Sequence, residues 1–329
     1  MGITIKDIAN LCGVSLGTVD RALNDRTGIS VKTKMKIMQV AKEVNYRPDH
    51  TARSLAKGRT LTIGVVLFDL HNRSFAQLMN AIESRARELG YFIDLALTDK
   101  DPFNEKKFIE RLMNRKVDGL ILFTVNMGKE FDDYLKSLAI PIITICNLVS
   151  DNWRYVGIDD RQAMKDAVTY IVNKGYRKIV YICPPLSYRG KTNIYTQEER
   201  LLGCLDGLRE FGIEKEPLII QEKDYIGALD RLELVGSEKT AVLCSCDYYA
   251  LEVMNYMKAK GLKIPDDVGL MGFDNIDVLK YVTPRITTVE YAVEDMGYRA
   301  VDSLIAQIEK DDHSELPLLD YKIIPGDSI

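Results

Sequence analysis

Residue types able to do covalent or metal chemistry are sparse in this 329-residue chain. Its three histidines fall at 50, 71 and 313, and its six cysteines at 12, 146, 183, 204, 244 and 246. Nucleophilic catalysis needs a base within reach of a serine or cysteine. His71, in "DLHNRSF", has no such partner that spacing assigns to it. A zinc site wants paired C-x2-C spacing with further ligands nearby, which Cys244-x-Cys246 does not offer. The thiols lie in apolar runs such as "IVYIC" and "TAVLCSC", the pattern of buried, reduced cysteines. Asp159-Asp160 reads as the start of a helix more readily than as an acid/base pair. The chain has no phosphate-binding P-loop, no G-x-G-x-x-G opening a helix, no H-E-x-x-H and no nucleophile elbow. These absences argue against an enzyme, and they call for no metal and no cofactor.

A different chemistry is carried by "GVSLGTVDRALN", residues 13–24, a run of small polar side chains with one arginine beside an aspartate. The elements around it explain its composition. "TIKDIANLC", "SLGTVDRALN" and "VKTKMKIMQVAKEVNY" read as three helices, the second capped by Ser15 and the third by Ser30. A helix-turn-helix needs a small residue where its helices approach, a turn glycine and a shared apolar face. Ala9 and Gly13 supply the first two, and Ile8, Cys12, Val14, Val19 and Ala22 the third. Leu16, Gly17, Thr18, Asp20 and Arg21 then lie near the N-terminal end of the second helix, the end that enters the major groove of DNA. Short side chains let the helix approach, while bulk would hold it off. The alternative is a plain helical hairpin packed on a neighbour. Charge favours DNA: residues 1–60 hold eleven Lys and Arg against five Asp and Glu, whereas the rest holds 33 against 43. Lys32, Lys34 and Lys36 crowd the first turns of the third helix, where cations oppose the helix dipole unless a phosphate lies near.

From residue 61 short apolar runs alternate with amphipathic helical stretches: "LTIGVVLF", "YFIDLALT", "DGLILF", "IPIITIC", "RKIVYIC", "PLIIQ", "TAVLCS", "DVGLMGF" and "ITTVEY". Strands apolar on both faces and separated by helices predict parallel sheets covered on both sides. About a dozen strands is too many for one comfortable sheet, so two α/β halves are expected, with a ligand crevice at their strands' carboxyl ends. "RPDHTARSLAKGRT", residues 47–60, links head to body, and its "HTARSLAK" could form a short helix. No apolar run is long enough to span a bilayer, and the N-terminus lacks the basic and apolar regions of a secretory signal, so a cytoplasmic protein is expected.

"TIKDIANLCGVSLGTVDRALN", "VNYRPDHTARSLAKGRTLTIGVV" and "IPDDVGLMGFDNID…ITTVEY" together resemble the LacI/GalR family of bacterial transcriptional regulators over essentially the whole chain. The resemblance implies a small all-α helix-turn-helix head, residues 1–46, and a hinge helix or linker, 47–60. It further implies an effector-binding and dimerisation body, 61–329. That body would be α/β and periplasmic-binding-protein-like (type I), of two doubly wound parallel-sheet subdomains. The N-subdomain would span about 61–160 and 292–320, the C-subdomain about 161–291 and 321–329.

By the same resemblance Leu16, Gly17 and Arg21 read bases, with Arg21 set for a bidentate guanine contact. Ser15, Thr18 and Asn24 match backbone-contact positions, and Thr4 and Arg53 join the DNA-contacting set. Asp20 departs from the family's usual serine; a carboxylate facing a phosphate is repelled, so Asp20 is expected to orient Arg21 or accept from a cytosine amino group. Ala52 and Leu55 match the hinge helix, whose leucines wedge into the minor groove and kink the duplex. Asp49 and His50 are unusual there. Effector contacts are expected from Asn72, Ser74 and Phe75 after the first strand, from Thr124 and Asn147 after later strands, and from Arg200, Tyr225, Cys246 and Asp274. Cysteine at 246 replaces a common asparagine, and the "PPLSYRGKTNIY" loop, 184–195, is unlike the family. A charged and amide lining on an aromatic wall suits a sugar or polyol effector.

The implied function is a sequence-specific DNA-binding regulator, a repressor whose operator affinity a small molecule controls. Inducer and corepressor use both occur in the family. The implied partners are pseudo-palindromic double-stranded operator DNA, the effector and a second copy in a homodimer. The tail "IIPGDSI" carries no leucine heptad to make a tetramer. The alternative is a sugar-binding receptor without DNA activity, which would show no salt-sensitive binding to any duplex.

Overall fold

A computed structural model describes residues 3–46, 59–185, 192–213 and 218–329. The chain divides into two compact units, Met1–Thr60 and Leu61–Ile329.

The first unit holds three helices, α1 (Ile5–Cys12), α2 (Leu16–Leu23) and α3 (Val31–Glu43). Thr4 starts α1 in a capping box: its hydroxyl accepts from the Asp7 amide while the Asp7 carboxylate accepts from the Thr4 amide. Gly13 ends α1 in the left-handed region at φ 67°, a conformation that costs glycine least, and turns the chain into α2. Ser15 and Ser30 cap α2 and α3, as their types predict. Ile8, Ala9, Cys12, Val19, Ala22, Ile37 and Ala41 form the core, and Val14, expected inside, is only partly covered at its rim. Each fully buried isoleucine there contributes about 2–3 kcal/mol.

The second unit carries two sheets. Strands β1 (Thr62–Leu67), β2 (Phe92–Leu97), β3 (Gly119–Leu122), β4 (Ile142–Ile145) and β5 (Arg154–Val156) pair in the order β2-β1-β3-β4-β5, all parallel. Strands β6 (Lys178–Ile182), β7 (Leu218–Ile220), β8 (Thr240–Cys244), β9 (Val268–Phe273), β10 (Thr287–Tyr291) and β11 (Tyr321–Ile324) pair in the order β11-β10-β9-β8-β6-β7. β11 runs antiparallel to β10, so the second sheet is mixed where parallel pairing alone was expected. A short return from the 311–320 crossover lets the tail pair as an antiparallel edge. β2, at the edge of the first sheet, leaves Phe92 exposed and so departs from the expectation of two covered faces.

Helices α4 (Arg73–Glu88), α5 (Pro102–Asn114) and α6 (Gly128–Ser137) follow strands of the first sheet; α7 (Asp160–Asn173), α8 (Tyr195–Glu210), α9 (Tyr225–Asp230) and α10 (Asp247–Ala259) follow strands in the run from β5 to β9. Helix α11 (Val293–Lys310) returns from β10 to pack on α4 and on β3 and β4. α7 and α8 pack closely on each other, which requires a glycine: a Cβ on Gly203 would stand 2.0 Å from the Arg161 carbonyl oxygen. That contact fixes α8 one turn beyond Arg200. The sheet order reverses between β1 and β3 in one sheet and between β6 and β8 in the other, which marks the loops after these strands as ligand positions. Among the described residues no helix is long and apolar enough to cross a membrane.

Candidate functional site

In the head, the N-terminal end of α2 presents small groups to solvent. Ser15 accepts from the Thr18 amide at 3.2 Å, and the two hydroxyls bond each other at 2.9 Å. Leu16 is 53 % exposed, and Gly17 and Arg21 are exposed beside it. Among the described residues no carboxylate pairs with Arg21. Of the two roles expected for Asp20, the orienting of Arg21 is not made among the described residues. Its carboxylate accepts from Asn24 Nδ2 at 2.7 Å and pairs with Arg26 Nη1 at 3.1 Å, because the turn that follows α2 folds back over it. Two of the third-helix lysines have protein partners: Lys34 pairs with Asp25, and Lys36 donates to the Cys12 carbonyl at 3.0 Å. Asp49, His50, Ala52, Arg53 and Leu55 lie outside the described residues.

In the body, Arg200 projects from the second turn of α8 and is buried. Its Nε donates to Asp160 at 2.7 Å, and its Nη1 donates to the Ser245 carbonyl at 2.6 Å and to Asp274 at 3.4 Å. The guanidinium lies 3.7 Å from the centre of the Phe273 ring, in cation–π range. Nη2 is the nitrogen these bonds do not use. Asp274 also accepts from the Tyr291 hydroxyl at 3.1 Å. Its φ of 117°, followed by Asn275 at 52°, holds two non-glycine residues in the left-handed region at the end of β9. Burial pushes the Asp160 and Asp274 carboxyls upward, against the pull of Arg200. Asp247, at the start of α10, is pushed well above the ordinary range by burial and by the Asp274 charge. It accepts from the Thr288 hydroxyl at 2.7 Å and from the Ile276 amide at 2.9 Å.

Asn72 caps α4 by accepting from the Ser74 amide at 3.2 Å. Phe75 stands edge-on to Phe68 and Phe123, whose rings stack with centroids 4.1 Å apart. Tyr225 opens α9 and meets Tyr249 edge-on at 4.9 Å. Cys246 precedes α10 without a side-chain cap bond, and burial pushes its thiol up to about 12, so it stays a neutral thiol. The Ser74, Tyr225, Ser245 and Tyr181 hydroxyls are buried with no protein partner. Such unsatisfied groups are few in native structures, and each calls for an explanation.

Thr124 and Asn147 are both committed to Asn193. Its Nδ2 donates to Thr124 Oγ1 and to the Leu148 carbonyl, both at 2.9 Å, while its carbonyl accepts from Asn147 Nδ2 at 2.9 Å. Three residues on, the Thr196 hydroxyl donates to the Cys146 carbonyl at 2.8 Å. On another side, Arg73 Nε and Nη2 each meet a carboxylate oxygen of Asp277 at 2.8 Å, and the Asp277 amide donates to Gln77 at 3.3 Å. The loops after the first sheet's strands are thus bonded to loops after the second sheet's strands at two places. A cavity of about 1180 Å³ is bounded by Trp153, Tyr155, Asp159, Asp160, Tyr195, Glu199 and the 307–318 segment; none of the nine expected effector residues lines it, although Asp160 joins it to Arg200.

Comparison with known proteins decides among the readings. Residues 4–49 match the model of bacterial regulatory proteins of the lacI family, and residues 168–329 match that of a periplasmic binding protein-like domain. The transcriptional regulator RegA of Clostridium acetobutylicum is 33% identical over 100% of this chain and 99% of its own length. The chain belongs to the lacI family. It is a sequence-specific DNA-binding transcriptional regulator with a helix-turn-helix head and a two-lobed periplasmic-binding-protein-like body.

Solved structures match this LacI-family chain, among them the two that follow. The lac repressor dimer bound to operator and the anti-inducer ONPF aligns with a TM-score of 0.85 at 24% identity, covering 100% of this chain and 99% of that one. A periplasmic binding protein/LacI transcriptional regulator of Alkaliphilus metalliredigens, complexed with D-xylulofuranose, aligns with a TM-score of 0.69 at 27% identity, covering 81% and 98%. In the LacI-family body, Arg200 and Asp274 touch, and Ser245 stands beside Cys246 at the same guanidinium. Thr124 and Asn147 form a second group around Asn193. Asn72, Ser74 and Phe75 share the start of α4, and Tyr225 stands at α9. Asp160 and Asn193 were not singled out by the sequence. Asp160 stood as a helix-start residue, and Asn193 lay in the loop noted only for being unusual. Among the described residues no group of three His, Cys, Asp or Glu is placed to hold a metal ion, and His71 is an exposed loop residue whose amide meets Asp69.

Proposed function

We propose that this LacI-family regulator is a cytoplasmic homodimeric repressor. Each head reads half of a pseudo-palindromic operator through Leu16, Gly17 and Arg21. Ser15, Thr18 and Thr4 act at the backbone, and Ala52, Arg53 and Leu55 of the linker act at the operator centre. The observation that carries this reading is the exposed N-terminal end of α2, where an arginine without a carboxylate partner among the described residues stands beside side chains too small to keep the helix from the groove. A homodimer fits because two heads about a twofold axis match an operator's symmetry.

The effector belongs in the body. Asn72, Ser74, Phe75, Arg200, Tyr225, Cys246 and Asp274 are its proposed contacts. The buried hydroxyls of Ser74 and Tyr225, and of Ser245 beside Cys246, have no protein partner and support a polar, hydroxyl-bearing molecule of sugar or polyol type. Thr124 and Asn147 join the set through Asn193, since their polar atoms already serve it. Effector binding changes the fit between the two sheets and so the operator affinity, and by linkage DNA changes effector affinity by the same factor.

The test is retention of duplex containing the chain's own promoter region by the full-length protein across a salt series. Arg21→Ala should weaken that binding with little change on random duplex. Equal loss on both would assign Arg21 to phosphate alone. Binding that ignores salt would favour the receptor reading.

A further inference from the structure

The carboxylate of Asp20 sits on the recognition helix of a protein that binds a polyanion. It is half-exposed, with 41 % of the side chain reaching solvent, so burial does not explain its presence. Its geometry gives another account. Asp20 Oδ1 holds Asn24 Nδ2 at 2.7 Å, and Asn24 Nδ2 also reaches the Asp20 carbonyl at 3.0 Å. Asp20 Oδ2 holds Arg26 Nη1 at 3.1 Å. The Arg26 amide donates to the Arg21 carbonyl at 2.9 Å, so the turn closes over the last carbonyls of α2. Between them, Asp25 takes a left-handed φ of 55° and pairs with Lys34 on α3. The whole 24–26 turn is therefore tied down by ion pairs and amide bonds within the head.

We propose that Asp20 is a specificity-determining residue that withholds Arg26 and Asn24 from the DNA backbone. This rests on the DNA-reading role of the head. A guanidinium that neutralises a phosphate adds affinity on every sequence alike, because the phosphate is the same everywhere. Specificity is a ratio, so any cation kept off the backbone raises it by lowering the non-specific term. Arg26 paired with Asp20 contributes no net charge to that term. Arg21, five residues earlier, has no carboxylate partner among the described residues and stays available for a base edge. The acid therefore divides the labour between two arginines instead of repelling the duplex as an isolated charge.

The test is a double-mutant cycle on the full chain with a random-sequence duplex, read as the slope of log binding constant against log salt concentration. Each phosphate contact contributes about 0.9 to that slope. Asp20→Asn should steepen it by about 0.9 per head and tighten non-specific binding. Arg26→Ala should leave the wild-type slope unchanged, yet cancel the gain in the Asp20→Asn background. Asp20→Ser supplies a second removal of the carboxylate, separating the charge from any folding defect peculiar to the amide. If Arg26→Ala flattens the slope equally in both backgrounds, Arg26 already touches phosphate and the masking role is overturned. No change in slope with either Asp20 variant overturns it as well. Salt-independent binding by all five proteins would overturn DNA binding by the head itself.

Discussion

Replacing Arg200 with methionine tests whether the buried guanidinium belongs to the fold as well as to the ligand. Methionine keeps much of the stem but removes the charge and the guanidinium's stacking on Phe273. Three hydrogen bonds are lost, and Asp160 and Asp274 are left buried without a cation. Breaking a buried pair in this way costs about 3–5 kcal/mol. In a body of this size each kcal/mol moves the midpoint by roughly 2–4 °C, so Tm should fall by roughly 6–20 °C. The loss should depend on pH. Both carboxyls are raised by burial in the parent, and removing the cation raises them further. A raised folded-state carboxyl stabilises below its unfolded value and loses that contribution as pH rises through the folded value. The variant should therefore lag its parent more at high pH than at low pH. Asp160→Asn placed on the variant should recover part of the loss by removing one uncompensated charge. Trp153, the chain's single tryptophan, bonds Asp132 at 2.6 Å and offers a fluorescence probe of the first lobe, with calorimetry reporting the whole. A midpoint within a degree of the parent at every pH would refute the structural role and leave Arg200 as a ligand contact alone.

Further outcomes follow from other residues. Arg21→Ala should cost about 1–3 kcal/mol of operator binding, measured by titration at fixed salt, without changing effector affinity in DNA-free protein. Asn193→Ala orphans Thr124 Oγ1 and the Leu148 carbonyl, a loss of about 2–4 kcal/mol; an unchanged midpoint would show that the two sheets need no such bolt. Arg73→Ala removes a half-exposed pair and should change stability by under about 1 kcal/mol, while speeding amide exchange across 276–281; unaltered exchange would deny that the pair restrains that loop. Burial pushes Glu105 up to about 7, against hydrogen bonds from Asn126 and Val125. Its contribution should be full below about 4.5 and lost as pH rises through about 7, and a pH profile flat over that window would mean that its amide donors hold it ionised.

The head was almost wholly legible in the sequence, because its information is local. Ser15, Gly13 and Ala9 act within a few residues of where they stand, and their types announce caps, turns and close contacts. The strands of the parallel core were legible for a similar reason, as runs such as "IVYIC" suit little else. Two short pieces escaped. β5 has three residues, too few for any pattern, and β11 pairs antiparallel only because the crossover returns the tail to β10. The site was legible in its types more than in its partnerships. Arg200 and Asp274 could be singled out by resemblance, but nothing local says that Asp160 would face the same guanidinium from 40 positions away. Asn193 is a plainer case: its partners at 124 and 148 become neighbours only once both sheets exist. Asp20 was noticed as an anomaly, and its partner Arg26 became visible only with the path of the turn.

Helix α8 has a double allegiance. Asn193 and Thr196, at its entry and first turn, are fastened to the strand ends of one lobe, and Arg200, one turn later, is fastened to those of the other. The first two turns of one helix thus carry bonds to both halves of the body. The bonds to the two halves are separated along the helix by only one turn.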